Sequence, residues 1–158
     1  MTHSITDIIT RIQKDQLKLG ITLYDKASLD DIARFEQLMN VSLPDDFKTF
    51  YYFSNGFESD EDMFRLLPLD DMIENKSNGR DTFLADKRDF HIAEYMIYSD
   101  LWTMSINKQA STEYSIYNMT ENVITLTHSF AEFLDVFLTG GVFKGLYDWR
   151  EQIEVKTK

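Results

Sequence analysis

Apolar residues recur at close to helical spacing near the start of the chain. Ile5, Ile8, Ile9, Ile12 and Leu17 are interleaved with Arg11, Lys14, Asp15 and Lys18, and Gly20 closes the segment. This pattern predicts a helix over 5–19. A connection over 21–27 leads to Ser28, an apt N-cap, with Asp30 and Asp31 in the positive first turn of a helix over 29–39. Leu29, Ile32, Phe35, Leu38 and Met39 form its expected buried stripe. Leu43-Pro44-Asp45-Asp46-Phe47 then places Pro in a first turn, where its missing N–H costs nothing, and two acids at the dipole's positive end. Phe47, Phe50, Tyr51 and Phe53 make an aromatic face on a helix over 44–54. Asn55-Gly56 is expected to stop it, since Gly tolerates a left-handed cap.

The period then shortens. Met63–Leu67 reads as a strand ending at Pro68, Asp70 as the cap of a single helical turn over 71–75, and 76–81 as a polar loop. Trp102, Met104 and Ile106 alternate with Thr103, Ser105 and Asn107, and Tyr114, Ile116 and Asn118 with Glu113, Ser115 and Tyr117. Such alternation predicts antiparallel strands, with turns at 107–111 and 120–122. Further strands are expected at 94–98 and 123–126. Ser129-Phe130-Ala131-Glu132 has the form of a capping box opening a helix over 129–139, lined by Phe130, Phe133, Leu134 and Phe137 and ended by Gly140-Gly141. The segment 142–155 is too apolar for a free tail. No linker, repeat or low-complexity block interrupts this order, so one α+β domain over 1–158 is the simplest account.

Composition narrows the possibilities. Of 158 residues, 43% are hydrophobic and 14% aromatic, which is ample for a large core. No cysteine is present, so disulfides and thiolate chemistry are excluded. The first residues carry neither a basic start nor an apolar run, and nothing approaches the roughly 18 apolar residues of a membrane helix. A cytoplasmic location is the expectation. The net charge of −11 repels phosphate backbones and anionic lipid, and attracts a basic partner. Direct nucleic-acid or membrane binding is therefore not expected. Solubility alone is the simpler account of the charge itself.

The order of these signals is more specific than any one of them. A capped helix leads to Leu43-Pro44-Asp45-Asp46-Phe47, then Asn55-Gly56, Phe64-Arg65-Leu66-Leu67-Pro68-Leu69, several strands, and Ser129-Phe130-Ala131-Glu132-Phe133-Leu134. The series resembles the SUKH superfamily over roughly 28–139, leaving an N-terminal helix and an extension over 142–158. The resemblance implies an α+β domain with a central, mostly antiparallel sheet flanked by helices. It also implies a non-catalytic role. The superfamily includes a fungal cell-wall synthesis regulator and many bacterial immunity proteins that bind and block a toxin. Glu36 matches the superfamily's usual helix acid, and Asn55 and Gly56 its turn. The polar span between Leu69 and Trp102 and the region after Gly141 depart from the usual pattern.

The residues themselves offer little catalytic chemistry. His3, His91 and His128 are scattered, and Ser129 is accounted for by its cap. No nucleophile elbow, phosphate loop or His-Glu-x-x-His motif occurs, so neither a catalytic set nor a metal or cofactor is expected. Trp102, Tyr114 and Tyr117 could line a pocket, but aromatic strand residues belong more often to a core. Glu58-Ser59-Asp60-Glu61-Asp62 lacks the alternate acids and central Gly of a calcium loop, and reads as a solvated acidic segment. It is nevertheless the best candidate for a binding surface, together with Asp70, Asp71 and Glu74 beyond the next strand. The leading expectation is an immunity protein whose acidic face engages a basic toxin domain, such as a nuclease. A regulatory or scaffold domain that binds cellular partners is the alternative. Oligomeric state is left open by exposed strand edges and the apolar C-terminal segment.

Overall fold

In the computed structural model, which describes residues 4–80, 82–110 and 112–157, helix starts follow the side chains that satisfy their free N–H groups. Helix α1 (Ile5–Leu19) is capped by Ser4, whose Oγ accepts from Asp7 N–H, and ends at left-handed Gly20. Helix α2 (Leu29–Met39) opens with a reciprocal capping box: Asp31 N–H donates to Ser28 Oγ and Ser28 N–H to Asp31 Oδ2. Helix α3 (Asp45–Phe53) starts behind Pro44 and buries Phe47, Phe50 and Tyr51. Leu29 and Leu38, expected in the α2 stripe, are instead exposed, because the inward side is carried by buried Ile32 and Phe35 and half-buried Met39.

Among the described residues the strands form one antiparallel meander of seven, β1 (Ile21–Leu23), β2 (Phe57–Ser59), β3 (Phe64–Leu66), β4 (Phe90–Tyr95), β5 (Asp100–Ile106), β6 (Tyr114–Met119) and β7 (Val123–Thr127), in chain order across the sheet. The fold is α+β, as the pattern along the chain and the superfamily resemblance imply. Residues paired across strands share a face. One face therefore carries Leu23, Phe57, Phe64, Leu66, Ala93, Trp102, Met104, Ile116 and Ile124. Phe64 stacks on Phe137 at 4.0 Å between ring centres, and Phe47, Phe50 and Tyr51 of α3 surround Phe130 of α5 (Phe130–Gly140).

The opposite face carries Glu58, Arg65, Glu94, His91, Thr103 and Tyr117. It is partly covered by α4 (Leu69–Ser77) and the segment after it. Lys76 Nζ donates to the Lys87 and Asp89 carbonyls, and Tyr117 Oη donates to Asp89 Oδ2 while accepting from Ala85 N–H. This covering leaves β4 buried from Phe90 to Glu94, which hides its alternation.

Several sequence expectations are corrected. The connection 21–27 contains β1. Strand β4 occupies 90–95 in place of 94–98, and Met96, Ile97 and Tyr98 form a left-handed turn. Helix α4 spans 69–77 behind Pro68, so Asp70 lies inside it and is not its cap. The Ser129–Glu132 box is one-sided: Ser129 Oγ caps Glu132 N–H, but the Glu132 carboxylate accepts from Thr127 Oγ1. Gly140-Gly141 does not end the helical path. The chain continues as a π-helix (Gly141–Tyr147) and then α6 (Asp148–Thr157). A Cβ on Gly145 would stand 2.6 Å from the Val136 carbonyl, so glycine there lets the wide turn close against α5. Gly56 is likewise required by contact: a Cβ would lie 2.3 Å from the Leu66 carbonyl, whereas α3 has already ended at Ser54. The turn residues Asp81 and Ser111 and the terminal His3 lie outside the described residues.

The C-terminal segment 142–155 packs on the sheet. Val142 and Leu146 are fully buried, and Tyr147 stacks on Trp102. Asp100 accepts from Tyr147 Oη and Asn118 Nδ2, and Arg150 donates to Asn118 Oδ1 with its guanidinium 4.6 Å from the Tyr147 ring centre.

Candidate functional site

The seven acids singled out in the sequence fall into three settings. Asp60, Glu61 and Asp62 form the turn between β2 and β3. Asp60 N–H donates to the Gly20 carbonyl and its Oδ1 accepts from Thr22 Oγ1, while Glu61 is exposed. Asp62 approaches the start of the π-helix, its Oδ2 2.7 Å from where a Cβ on Gly141 would stand. Asp70 and Glu74 are exposed on α4, beyond the opposite end of β3, and Asp70 pairs with Arg34 at 2.9 Å.

Glu58 and Asp71 converge instead on Arg65, in the middle of the polar face. Arg65 Nη2 donates to Asp71 Oδ2 at 2.7 Å, Nη1 to Glu94 Oε1 at 3.0 Å and Nε to Tyr24 Oη at 3.1 Å. Tyr24 Oη in turn donates to Glu58 Oε2. Burial pulls the Arg65 pKa down, but the bonds to Asp71 and Tyr24 and the charge of Glu94 outweigh it and hold the guanidinium charged. Burial pushes the Glu94 carboxyl up, against the opposing charge and hydrogen bond of Arg65. The Tyr24 phenol is also raised, chiefly by burial. Three carboxylates thus share one guanidinium, which ties them into a network that rigidifies the sheet, while the acidic turn 60–62 beside it lies outside that network.

The remaining candidates for chemistry are engaged in structural bonds. His91 is buried, with Nε2 2.7 Å from the Thr82 carbonyl and Nδ1 2.7 Å from Thr103 Oγ1. A carbonyl only accepts, so Nε2 carries the hydrogen. His128 Nδ1 faces the Tyr114 carbonyl at 3.0 Å. Trp102 and Tyr117 belong to the buried interior, and Tyr114 Oη joins Asp46 to the Phe130 N–H. Burial, followed by the hydrogen bond to Asp46, raises that phenol well above its ordinary value. Glu36 Oε2 accepts from Leu43 N–H and Asn55 Oδ1 from Leu69 N–H, so both family-matching residues brace loops. A depression of about 800 Å³ beside the β5–β6 turn is open and lined by Arg88, Lys108, Glu113 and His128 among others. Among the described residues, no cluster of three or more His, Cys, Asp or Glu is arranged to hold a metal ion, and no helix is long and apolar enough to cross a membrane.

Sequence reading missed the apolar residues next to the acidic turn. Met63, Met96, Ile97 and Phe143 are 56%, 43%, 78% and 56% exposed. Met96 N–H donates to the Met63 carbonyl, and Phe143 meets Tyr95 edge-on at 5.6 Å. Met63, Met96, Ile97 and Tyr98 all have φ between 49° and 64°, a conformation that costs an L-residue about 1–2 kcal/mol each. A β-branched residue there is a true outlier. The three consecutive residues are pinned by Ser99 N–H on the Tyr95 carbonyl, Ser99 Oγ on the Met96 carbonyl and Tyr98 Oη on Asn75 Oδ1. Apolarity at 96–98 was the available signal, and it was read as a strand.

A family model described as the SMI1 / KNR4 family (SUKH-1) matches residues 26–136. The chain belongs to this family. The match covers α2 to most of α5, so α1, the π-helix and α6 lie outside it. No curated protein matches the chain. Members of this family are generally non-catalytic, in keeping with the structural roles of the histidines and hydroxyls here.

Proposed function

We propose that this SMI1 / KNR4 family member is an immunity protein that neutralises a cognate bacterial toxin by binding it directly. The observation that carries the reading is the turn Asp60-Glu61-Asp62, an open negative element held on a rigid frame in a chain of net charge −11. Such a field steers a basic partner, and an acidic inhibitor can occupy a groove built for phosphates. The adjoining ion-paired cluster around Arg65 supports a binding role, because it fixes the sheet under the turn.

The test is co-expression with toxin domains encoded beside this gene, followed by pull-down of the purified chain. Rescue of growth with a stoichiometric complex is expected. Reversal of Asp60, Glu61 and Asp62 to Lys should abolish rescue while the far-UV spectrum and Tm hold. Unchanged affinity in that variant would remove the turn from the interface. A complex with a cellular regulator, without rescue from any adjacent toxin, would favour the regulatory alternative.

A further inference from the structure

The acidic turn does not stand alone at its end of the sheet. Met63 follows Asp62 directly, Met96 is bonded to Met63 through the backbone, Ile97 is the next residue, and Phe143 covers Tyr95 from the π-helix. Asp62 reaches the first residue of that π-helix, so acids and apolar side chains form one continuous surface. Lys144 is the basic residue next to Phe143 and is exposed. Against it stand Asp60, Glu61 and Asp62.

Four features point to a recognition surface. Large apolar side chains are exposed together, where single ones would need no explanation. Two are methionines, whose flexible thioethers adapt to a partner's contours. Ile97 is held outward by a left-handed turn that its own chemistry disfavours. Phe143 is carried by a π-helix, an uncommon element frequent at functional positions.

We infer that Met63, Met96, Ile97 and Phe143 are the apolar anchor of a protein interface whose partner presents an apolar side chain ringed by Lys or Arg. The occupant follows from the charge of the rim. A second copy of this chain would bring Asp60–Asp62 against a like rim, and an anionic membrane would be repelled by the same acids. A basic amphipathic protein surface is attracted by the rim and loses its exposed apolar area on the anchor. The inference rests on the binding function proposed above only for the existence of a protein partner.

The full chain, labelled at its methionine methyl groups with ¹³C, provides the test. The first probe is a cationic amphipathic helical peptide of Leu and Lys; the controls are its Leu/Glu and Gln/Lys counterparts. The Met63 and Met96 methyls should shift with the Leu/Lys peptide while buried Met72 and Met104 stay still. Ile97→Ser and the triple variant D60N/E61Q/D62N should each weaken binding at least tenfold, whereas Leu29→Ser on α2 should leave it unchanged. Equal response to the Leu/Glu peptide, silence at Met63 and Met96, or concentration-dependent shifts without peptide would each overturn the proposal. The second probe is any adjacent-gene toxin domain that is rescued in co-expression. Rescue without movement of Met63 and Met96 sinks the anchor and leaves the immunity function standing. Peptide binding at the anchor without rescue by any toxin does the reverse.

Discussion

Arg65 Nη1 donates to Glu94 Oε1 at 3.0 Å, and the Glu94 side chain is only 4% exposed where Arg65 is 31% exposed. The carboxylate thus depends on the guanidinium far more than the reverse. Asp71 from α4, together with Tyr24 and Glu58 from the β1–β2 side, completes the coordination of the cation. A single charge therefore fastens α4, three strands and the residue that follows β1.

Removing that cation should be costly. Arg65→Met is expected to destabilise the protein by about 3 kcal/mol, because it strands a buried carboxylate. The double variant Arg65→Met/Glu94→Leu should recover much of this loss, since neither charge is then left alone. Urea denaturation of the four species closes the cycle. A double variant no more stable than Arg65→Met would contradict the account.

The pH dependence has a definite sign. Glu94 is raised in the folded protein, chiefly by burial, so its contribution is fully present below its unfolded pKa and lost as pH rises through the folded value. Relative to Glu94→Gln, the native protein should lose stability as pH climbs upward from the ordinary glutamate range of about 4.3. Asp31 behaves oppositely: its bonds to Ser28 lower it, and its contribution is lost as pH falls through that lowered value. Carboxyl ¹³C titration should find the Glu94 midpoint above, and that of Asp31 below, their usual ranges. An ordinary or lowered midpoint for Glu94 would mean that desolvation does not dominate there.

Gly56 should tolerate no side chain. With φ at 93° and the Leu66 carbonyl 2.3 Å from a would-be Cβ, Gly56→Ala is expected to cost on the order of 3 kcal/mol. Gly20, also left-handed but with open space around it, should lose only about 1 kcal/mol on the same change. Comparable Tm losses at the two sites would show that φ alone matters.

Ile97 should trade stability against binding. Ile97→Asn relieves a β-branched residue of left-handed geometry and is expected to stabilise the fold by about 0.5–1 kcal/mol. Partner affinity should fall at the same time. A drop in both Tm and affinity would argue that Ile97 packs in the fold after all.

Three helix starts were legible because their causes are local: Ser28 with Asp31, Pro44 with two acids, and Ser129 all lie beside the N–H groups they serve. Strands β5 and β6 were legible through alternation at Trp102–Ile106 and Tyr114–Asn118. What failed depended on distant contacts. Strand β1 is three residues long and is defined by pairing with Phe57–Ser59. Strand β4 is buried by the core on one face and by α4 and the segment after it on the other, so period two vanishes. At Gly140-Gly141 the usual stop signal is overridden, since those glycines and Gly145 admit a wide turn against Val136. Of the surface, the acids were visible as a charge run. Their apolar neighbours come from turns 33 residues apart, at Met63 and Met96, and from the π-helix, and only folding joins them.

The family match stops at residue 136, just short of the π-helix that carries Phe143. One wall of the exposed surface is thus made of inherited framework and the other of an appendix clipped on through Asp100, Asn118 and Arg150. Because Val142, Leu146 and Tyr147 of that appendix also pack into the core, the wall that displays Phe143 is set by the same contacts that hold the sheet together.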